Sequence, residues 1–212
     1  MKTITFYLDF ISPYAWLAFD ALPQALQGIS HRVVYKPLLF SGLLKHHGQL
    51  GPAEITAKRD WTYRQVLWLA RQQATPLQLP RAHPFNPLAL LRLASACDAQ
   101  AQPNRFVCEK IFRHVWCTGL DAADPERLAQ LHAELAPLRL PGAEEVKQEL
   151  LAHGQEALTL GVFGVPSFVV DGQVFWGQDA LPMLRACLLG DAWFEGPDWQ
   201  APFGCEVGVR RS

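Results

Sequence analysis

Two short stretches some 150 residues apart carry groups suited to managing a sulfur atom. In Ser12-Pro13-Tyr14 a small hydroxyl stands where a run of alternating residues gives way to a helical one, and Gly164-Val165-Pro166 leads into a later strand. A thiolate at a helix N-terminus is stabilised by the macrodipole by about 0.3–1 kcal/mol, and by up to ~2 when partly buried. A serine hydroxyl donating to that sulfur adds about 1.5 kcal/mol. Together these approach two pK units, at about 1.4 kcal/mol each. That suffices to turn a free thiol with a pKa near ~8.5 into a majority thiolate at neutral pH. The chain has no cysteine at this place, since Ser12 and Ala15 occupy the two positions where a redox pair would sit.

The thiol must therefore arrive on a cofactor, and glutathione is the expected one. A cis-proline turn at Val165-Pro166 would offer the backbone N–H and C=O of Val165 to the cysteinyl unit of a peptide-like ligand. Gly177-Gln178-Asp179, at the start of the last helix, would hold the γ-glutamyl end, its backbone donors taking the carboxylate and Asp179 the amine. Each piece also has a plain structural reading: Ser12 as an N-cap, Val165-Pro166 as a turn and Asp179 as a helix cap. Trp61 and Trp68, seven apart on one helix, read as core or cleft wall.

The elements that must position these groups follow from periodicity. Thr3 to Phe10 alternates with period two and predicts a strand; from Pro13 the apolar residues Ala18, Ala21, Leu22 and Ala25 recur at helical spacing, behind Ser12 as N-cap and Pro13 at the first helical position. Residues 31–36 predict a second strand stopped by Pro37, completing a βαβ opening. The stretch 40–160 shows helical starts at Gly51-Pro52, Asn86-Pro87 and Asp124-Pro125, and Val107, Ile111 and Val115 mark one buried helix face widened by Phe112 and Trp116. Strands return at Ser167–Val170 and Gln173–Trp176 around an Asp171-Gly172 turn, and a last helix is expected from about Asp179 to Leu188. This is the layout of an α/β thioredoxin-like fold with a large all-helical insertion. Residues 1–39 and 162–190 would form the thioredoxin-like domain, 40–161 the insertion, and 191–212 an irregular tail without periodicity.

A chain of 212 residues, 50% hydrophobic, can bury a substantial core. A net charge of −1 and a pI near 6.6 leave no electrostatic footprint for nucleic acid or an anionic membrane, so a small-molecule partner is expected. The five cysteines (Cys97, Cys108, Cys117, Cys187, Cys205) form no C-x-x-C and share no metal-site spacing with the seven histidines. They read as reduced residues of a cytoplasmic protein. Asp9 and Pro13 interrupt the apolar N-terminus before a signal peptide could form, and no apolar run approaches the ~18 residues of a membrane span.

With these residues in place the chain resembles the 2-hydroxychromene-2-carboxylate isomerase family, relatives of kappa-class glutathione transferases within the DsbA-type branch of the thioredoxin fold. The resemblance runs to about residue 188 and is carried by 6–14 (Phe6 to Tyr14), Pro52-Ala53-Glu54-Ile55 with Lys58-Arg59, Phe85-Asn86-Pro87 with Arg92, and 161–168 with Trp176-Gly177-Gln178-Asp179. It implies glutathione-dependent isomerisation of 2-hydroxychromene-2-carboxylate to trans-o-hydroxybenzylidenepyruvate, a step of aromatic catabolism. Ser12 matches the family's serine that activates the glutathione sulfur. The thiolate would add to the conjugated side chain, allow rotation and leave again, replacing one high barrier by two lower ones. Lys58 and Asn86 match positions that the family places near the site. The resemblance also implies binding roles for Lys58 toward the cofactor and for Asn86, Lys36 and Tyr14 toward the substrate, and a homodimer. Lys36, Lys58 and Arg81 are the candidate cations for a substrate carboxylate. Thr56 stands where the family usually has proline and Ala180 where arginine is common. An isomerase for a different enone, or a kappa-like transferase that releases a stable conjugate, therefore stays open, and because extended peptides fit the same cis-proline groove so does a redox-inactive peptide-binding module. A disulfide oxidoreductase is disfavoured by Ser12 and Ala15.

Overall fold

Lys2–Leu8 form the first strand, β1, of the computed structural model, which describes residues 1–200 together with Gly204 and Gly208. Ile4, Phe6 and Leu8 are wholly buried on one face of β1 and Tyr7 on the other. A strand buried on both faces must lie inside a sheet. It pairs in parallel with β2 (His31–Pro37) and antiparallel with β3 (Ser167–Val170), and β3 pairs antiparallel with β4 (Gln173–Trp176), giving the order β2-β1-β3-β4. The β3–β4 turn uses Asp171 and Gly172, both at positive φ (49° and 80°), as the primed two-residue hairpin turn requires.

Helix α1 (Pro13–Ala25) returns the chain from β1 to β2. Its inner residues Trp16 and Phe19 meet Phe112 with ring centroids 5.8 and 5.1 Å apart. Phe112 lies on α5 (Arg105–Trp116), in the stretch between β2 and β3 that also holds α2 (Phe40–His46), α3 (Thr56–Gln73), α4 (Leu88–Ala96), α6 (Pro125–Leu135) and α7 (Glu144–Thr159). Val107, Ile111, Phe112, Val115 and Trp116 are all buried, as the helical spacing predicts. They share one core with Ile4, Phe6 and Leu8 of β1 and with Leu184 of α8 (Leu181–Leu188). The opposite sheet face is covered from α2 and α7, where Tyr7, Leu43, Ala157, Val165 and Val169 pack together. No helix among the described residues is long and apolar enough to cross a membrane.

Several boundaries differ from the sequence-based expectation, each for a local reason. β1 stops at Leu8 rather than Phe10, because the Ser12 N–H turns back to Asp9 O (3.1 Å) and the Asp9 carboxylate accepts from the N–H groups of Ile11 (3.1 Å) and Phe40 (2.9 Å). Phe10 keeps the alternation going only because its ring points into the core from that turn. Asp124 does cap α6 through the Arg127 N–H (2.9 Å), but Gly51-Pro52 opens a single 3₁₀ turn, Pro52–Glu54, with α3 starting later at Thr56. The cap of α5 is Asn104, which accepts from the Val107 N–H at 3.0 Å. The helix expected from about Asp179 is α8, which starts at Leu181 behind a 3₁₀ turn at Gln178–Ala180.

The expected irregular tail is ordered over its first part. Asp191 caps a 3₁₀ turn at Ala192–Glu195, and α9 (Pro197–Gln200) follows. Aromatic docking orders this stretch without any periodicity: Phe194 is buried, and Trp199 stacks on Phe175 with centroids 6.0 Å apart. The rest of that expectation, with Cys205, falls outside the described residues.

Candidate functional site

Ser12 is the N-cap of α1, 7% exposed, with its Oγ accepting the Ala15 N–H at 3.2 Å. Pro13 brings no N–H of its own to the first turn, and the Trp16 N–H is taken by Ser12 O (3.2 Å). As an acceptor from Ala15, the hydroxyl still has its proton to give, and that proton faces Val165 O at 3.5 Å across 153 residues of sequence. At this length the contact is weak, so the donor is available to a better acceptor. The Val165–Pro166 peptide is cis. The structure thus brings together the two motifs, Ser12 and Val165-Pro166, that carry the chemistry read from the sequence.

The third stretch is tied to the second. The Gly177 N–H donates to Pro166 O at 2.9 Å, so Gly177 has no donor left for a ligand, and the N–H groups of Gln178 and Asp179 are the ones that remain at this turn. Gly177 adopts φ 99° and ψ 160°, and a Cβ there would stand 2.3 Å from Asp179 Oδ1. Only glycine lets the exposed Asp179 carboxylate fold back over its own turn. Gly177→Ala is expected to cost about 1–3 kcal/mol, read as a lowered urea midpoint with an unchanged slope.

Tyr14 lies between these pieces and α3. Its hydroxyl donates to Gln65 Oε1 at 2.6 Å, and its pKa is raised chiefly by burial and also by the charge of Asp179. Lys58 is exposed on the first turns of α3, seven residues before Gln65, and makes no ion pair among the described residues.

Other expected site residues have local work. Lys36 pairs with Glu156 of α7 at 2.5 Å with its side chain only 15% exposed, so its charge is already neutralised. Asn86 Oδ1 accepts the Leu88 N–H at 3.1 Å, which makes it a capping residue two positions before α4. Arg81 is exposed, and among the described residues only its backbone N–H is engaged, by Leu120 O at 3.2 Å. Trp61 and Trp68, 62% and 59% exposed, do not belong to the core.

The structure adds three residues around Ser12 that sequence reasoning did not single out for the site. Asp9 is fully buried, and burial pushes its carboxyl up to about 7 against the opposing pull of the Phe40 and Ile11 N–H groups. Trp116 Nε1 donates to Phe10 O at 2.9 Å, and His83 Nε2 lies 2.8 Å from Ile11 O. Every peptide between Asp9 and Ser12 is thereby held from outside the turn or across it. The one available signal was a charged residue interrupting an apolar run, Leu8-Asp9-Phe10. Burial pushes the thiols of Cys97 (to about 11), Cys108, Cys117 and Cys187 up, so none of these is an activated thiol.

Comparisons with known proteins identify the family and the fold. The model for the DsbA-like thioredoxin domain matches residues 3–188. A 2-hydroxychromene-2-carboxylate isomerase of Sphingobium xenophagum is 30% identical over 196 residues, 89% of this chain and 98% of that protein. Glutathione S-transferase kappa 1 of Rattus norvegicus is 26% identical, over 92% of this chain and 94% of that one. Among solved structures, a 2-hydroxychromene-2-carboxylate isomerase superposes with a TM-score of 0.78 at 22% identity, covering 93% of this chain and 98% of that one, which shows the shared fold. With a serine where a redox cysteine would stand, the chain belongs to the DsbA-like thioredoxin family, among the relatives that include 2-hydroxychromene-2-carboxylate isomerases and kappa-class glutathione transferases.

Proposed function

We propose that the protein is a glutathione-dependent isomerase converting 2-hydroxychromene-2-carboxylate to trans-o-hydroxybenzylidenepyruvate. One observation carries the reading: the Ser12 hydroxyl, at the positive end of α1, has a proton to donate and faces the Val165 carbonyl across the site. The residues fit a γ-glutamyl peptide in three respects. The Val165 N–H makes no hydrogen bond within the described residues, Gly177 opens the turn that carries Asp179, and no described cysteine competes as the sulfur source. When bound, glutathione supplies a thiolate able to add reversibly to a conjugated double bond.

The protein's own residues then have separate tasks. Ser12 and the first turn of α1 hold the negative charge of the sulfur, Val165 pairs with the peptide backbone, and Asp179 takes the α-amine. Lys58, exposed on α3 and without an ion pair among the described residues, is assigned the substrate carboxylate, with Arg81 the other unpaired candidate, since Lys36 is held by Glu156. That pairing of Lys36 also favours a second reading, a kappa-like transferase acting on an uncharged electrophile. Both are tested by retention on immobilised glutathione followed by turnover of the chromene carboxylate. Isomer formation with the glutathione concentration unchanged supports the first reading. Stoichiometric loss of glutathione into a conjugate supports the second, and no retention removes both.

A further inference from the structure

His83 makes two side-chain contacts that the chemistry above does not use. Nε2 is 2.8 Å from Ile11 O, and Nδ1 is 2.8 Å from the Tyr63 hydroxyl, which also lies 3.1 Å from the carbonyl of His83 itself. A carbonyl oxygen only accepts, so Nε2 carries a hydrogen. Burial holds His83 below its ordinary pKa, which leaves the ring neutral and Nδ1 as an acceptor, so the one Tyr63 proton is shared between that lone pair and the carbonyl oxygen of His83. The ring is held in place by Trp116 and Phe85, with centroids 5.4 and 6.1 Å away.

The acceptor matters more than the bond. Ile11 O belongs to the peptide unit whose N–H is that of Ser12, and this N–H donates to Asp9 O at 3.1 Å. The plane is gripped at both ends, and its orientation sets the direction in which the Ser12 side chain leaves the backbone. We infer that His83 is a positioning residue: held as the Nε2–H tautomer by the Ile11 carbonyl and braced by Tyr63, it fixes the Ile11–Ser12 peptide and so aims the Ser12 hydroxyl at the bound sulfur. This rests on the glutathione reading of the site. A hydroxyl turned away from the sulfur still leaves the peptide-binding groups of Val165 and Asp179 in place, so the effect falls on thiol ionisation and turnover rather than on cofactor affinity.

The test titrates the ultraviolet thiolate band of glutathione bound to the wild type and to His83→Phe, His83→Gln and Tyr63→Phe, alongside steady-state turnover and thermal melting. His83→Phe is expected to raise the pKa of the bound thiol by about 1 and to lower kcat about tenfold, with KM for glutathione changed less than about twofold. His83→Gln, whose amide N–H can replace Nε2–H, is expected to recover most of both, and Tyr63→Phe to give a smaller shift of the same sign. A folded His83→Phe with an unchanged thiol titration overturns the inference, as does a defect that His83→Gln does not relieve. Should His83→Phe fail to fold, an unchanged titration in Tyr63→Phe overturns it instead. A wild type without any thiolate band refutes the glutathione reading itself, a result distinct from a wild-type band that the variants leave unmoved.

Discussion

Ser12→Ala is expected to retain no more than about a tenth of the wild-type kcat for the chromene carboxylate, while still being retained on immobilised glutathione. The hydroxyl supplies about 1.5 kcal/mol or more to a charged acceptor, and each 1.4 kcal/mol is a factor of ten in rate. Binding is expected to survive because, in the proposed reading, Val165, Gln178 and Asp179 would contact other parts of the tripeptide. The same substitution removes an N-cap, with the Ala15 N–H as the donor left behind, at a cost of about 1 kcal/mol in stability. Steady-state kinetics at saturating glutathione, compared with a urea titration, separates the two effects. Equal kcat for the two proteins would remove the hydroxyl from the chemistry.

The second large effect is on stability and comes from Asp9. Its carboxyl is ordinarily half-ionised near 3.8 and is pushed up to about 7 by complete burial. Between those values the folded protein holds a proton that the unfolded chain releases, so Asp9's contribution is fully present below about pH 4 and is lost as the pH rises through about 7. Linkage sets an upper bound on the order of 4 kcal/mol for the loss. In Asp9→Asn the side chain is neutral at every pH and keeps one oxygen for either Ile11 or Phe40, so its own cost is independent of pH. Urea titrations between about pH 5 and 8 are expected to show the wild type losing stability relative to Asp9→Asn as the pH rises, with the difference levelling off above about 7. Parallel curves would show that the two backbone N–H donors hold the carboxylate ionised throughout.

What could be read from the sequence was what depends on neighbours in the chain. The change of period at Ser12-Pro13, the Asp171-Gly172 turn and the buried face of Val107, Ile111 and Val115 are local patterns, and the structure follows them. The approach of Ser12 to Val165 was legible because two such patterns together specify one fold. Asp9, His83 and Trp116 could not be read for their roles around the site, because their partners there are backbone atoms, and a carbonyl or an N–H leaves no mark of its residue type. Lys36 and Asn86 show the reverse situation. Each has the right chemistry for a substrate, yet an acidic residue 120 positions away and an N–H two positions away engage them first. The stretch 191–200 escaped because the packed rings of Phe175, Phe194 and Trp199 order it, and ring packing has no period.

The grips on the turn before Ser12 have an origin that matters for engineering. Phe40 begins α2, His83 lies between α3 and α4, and Trp116 ends α5, so all three reach the turn from the segment between β2 and β3. That segment cannot be transplanted from a relative as a passive specificity cassette. A chimera must import matching anchors for the carbonyls of Phe10 and Ile11 and for the Asp9 carboxylate, or it inherits new helices above a Ser12 turn that has lost its alignment.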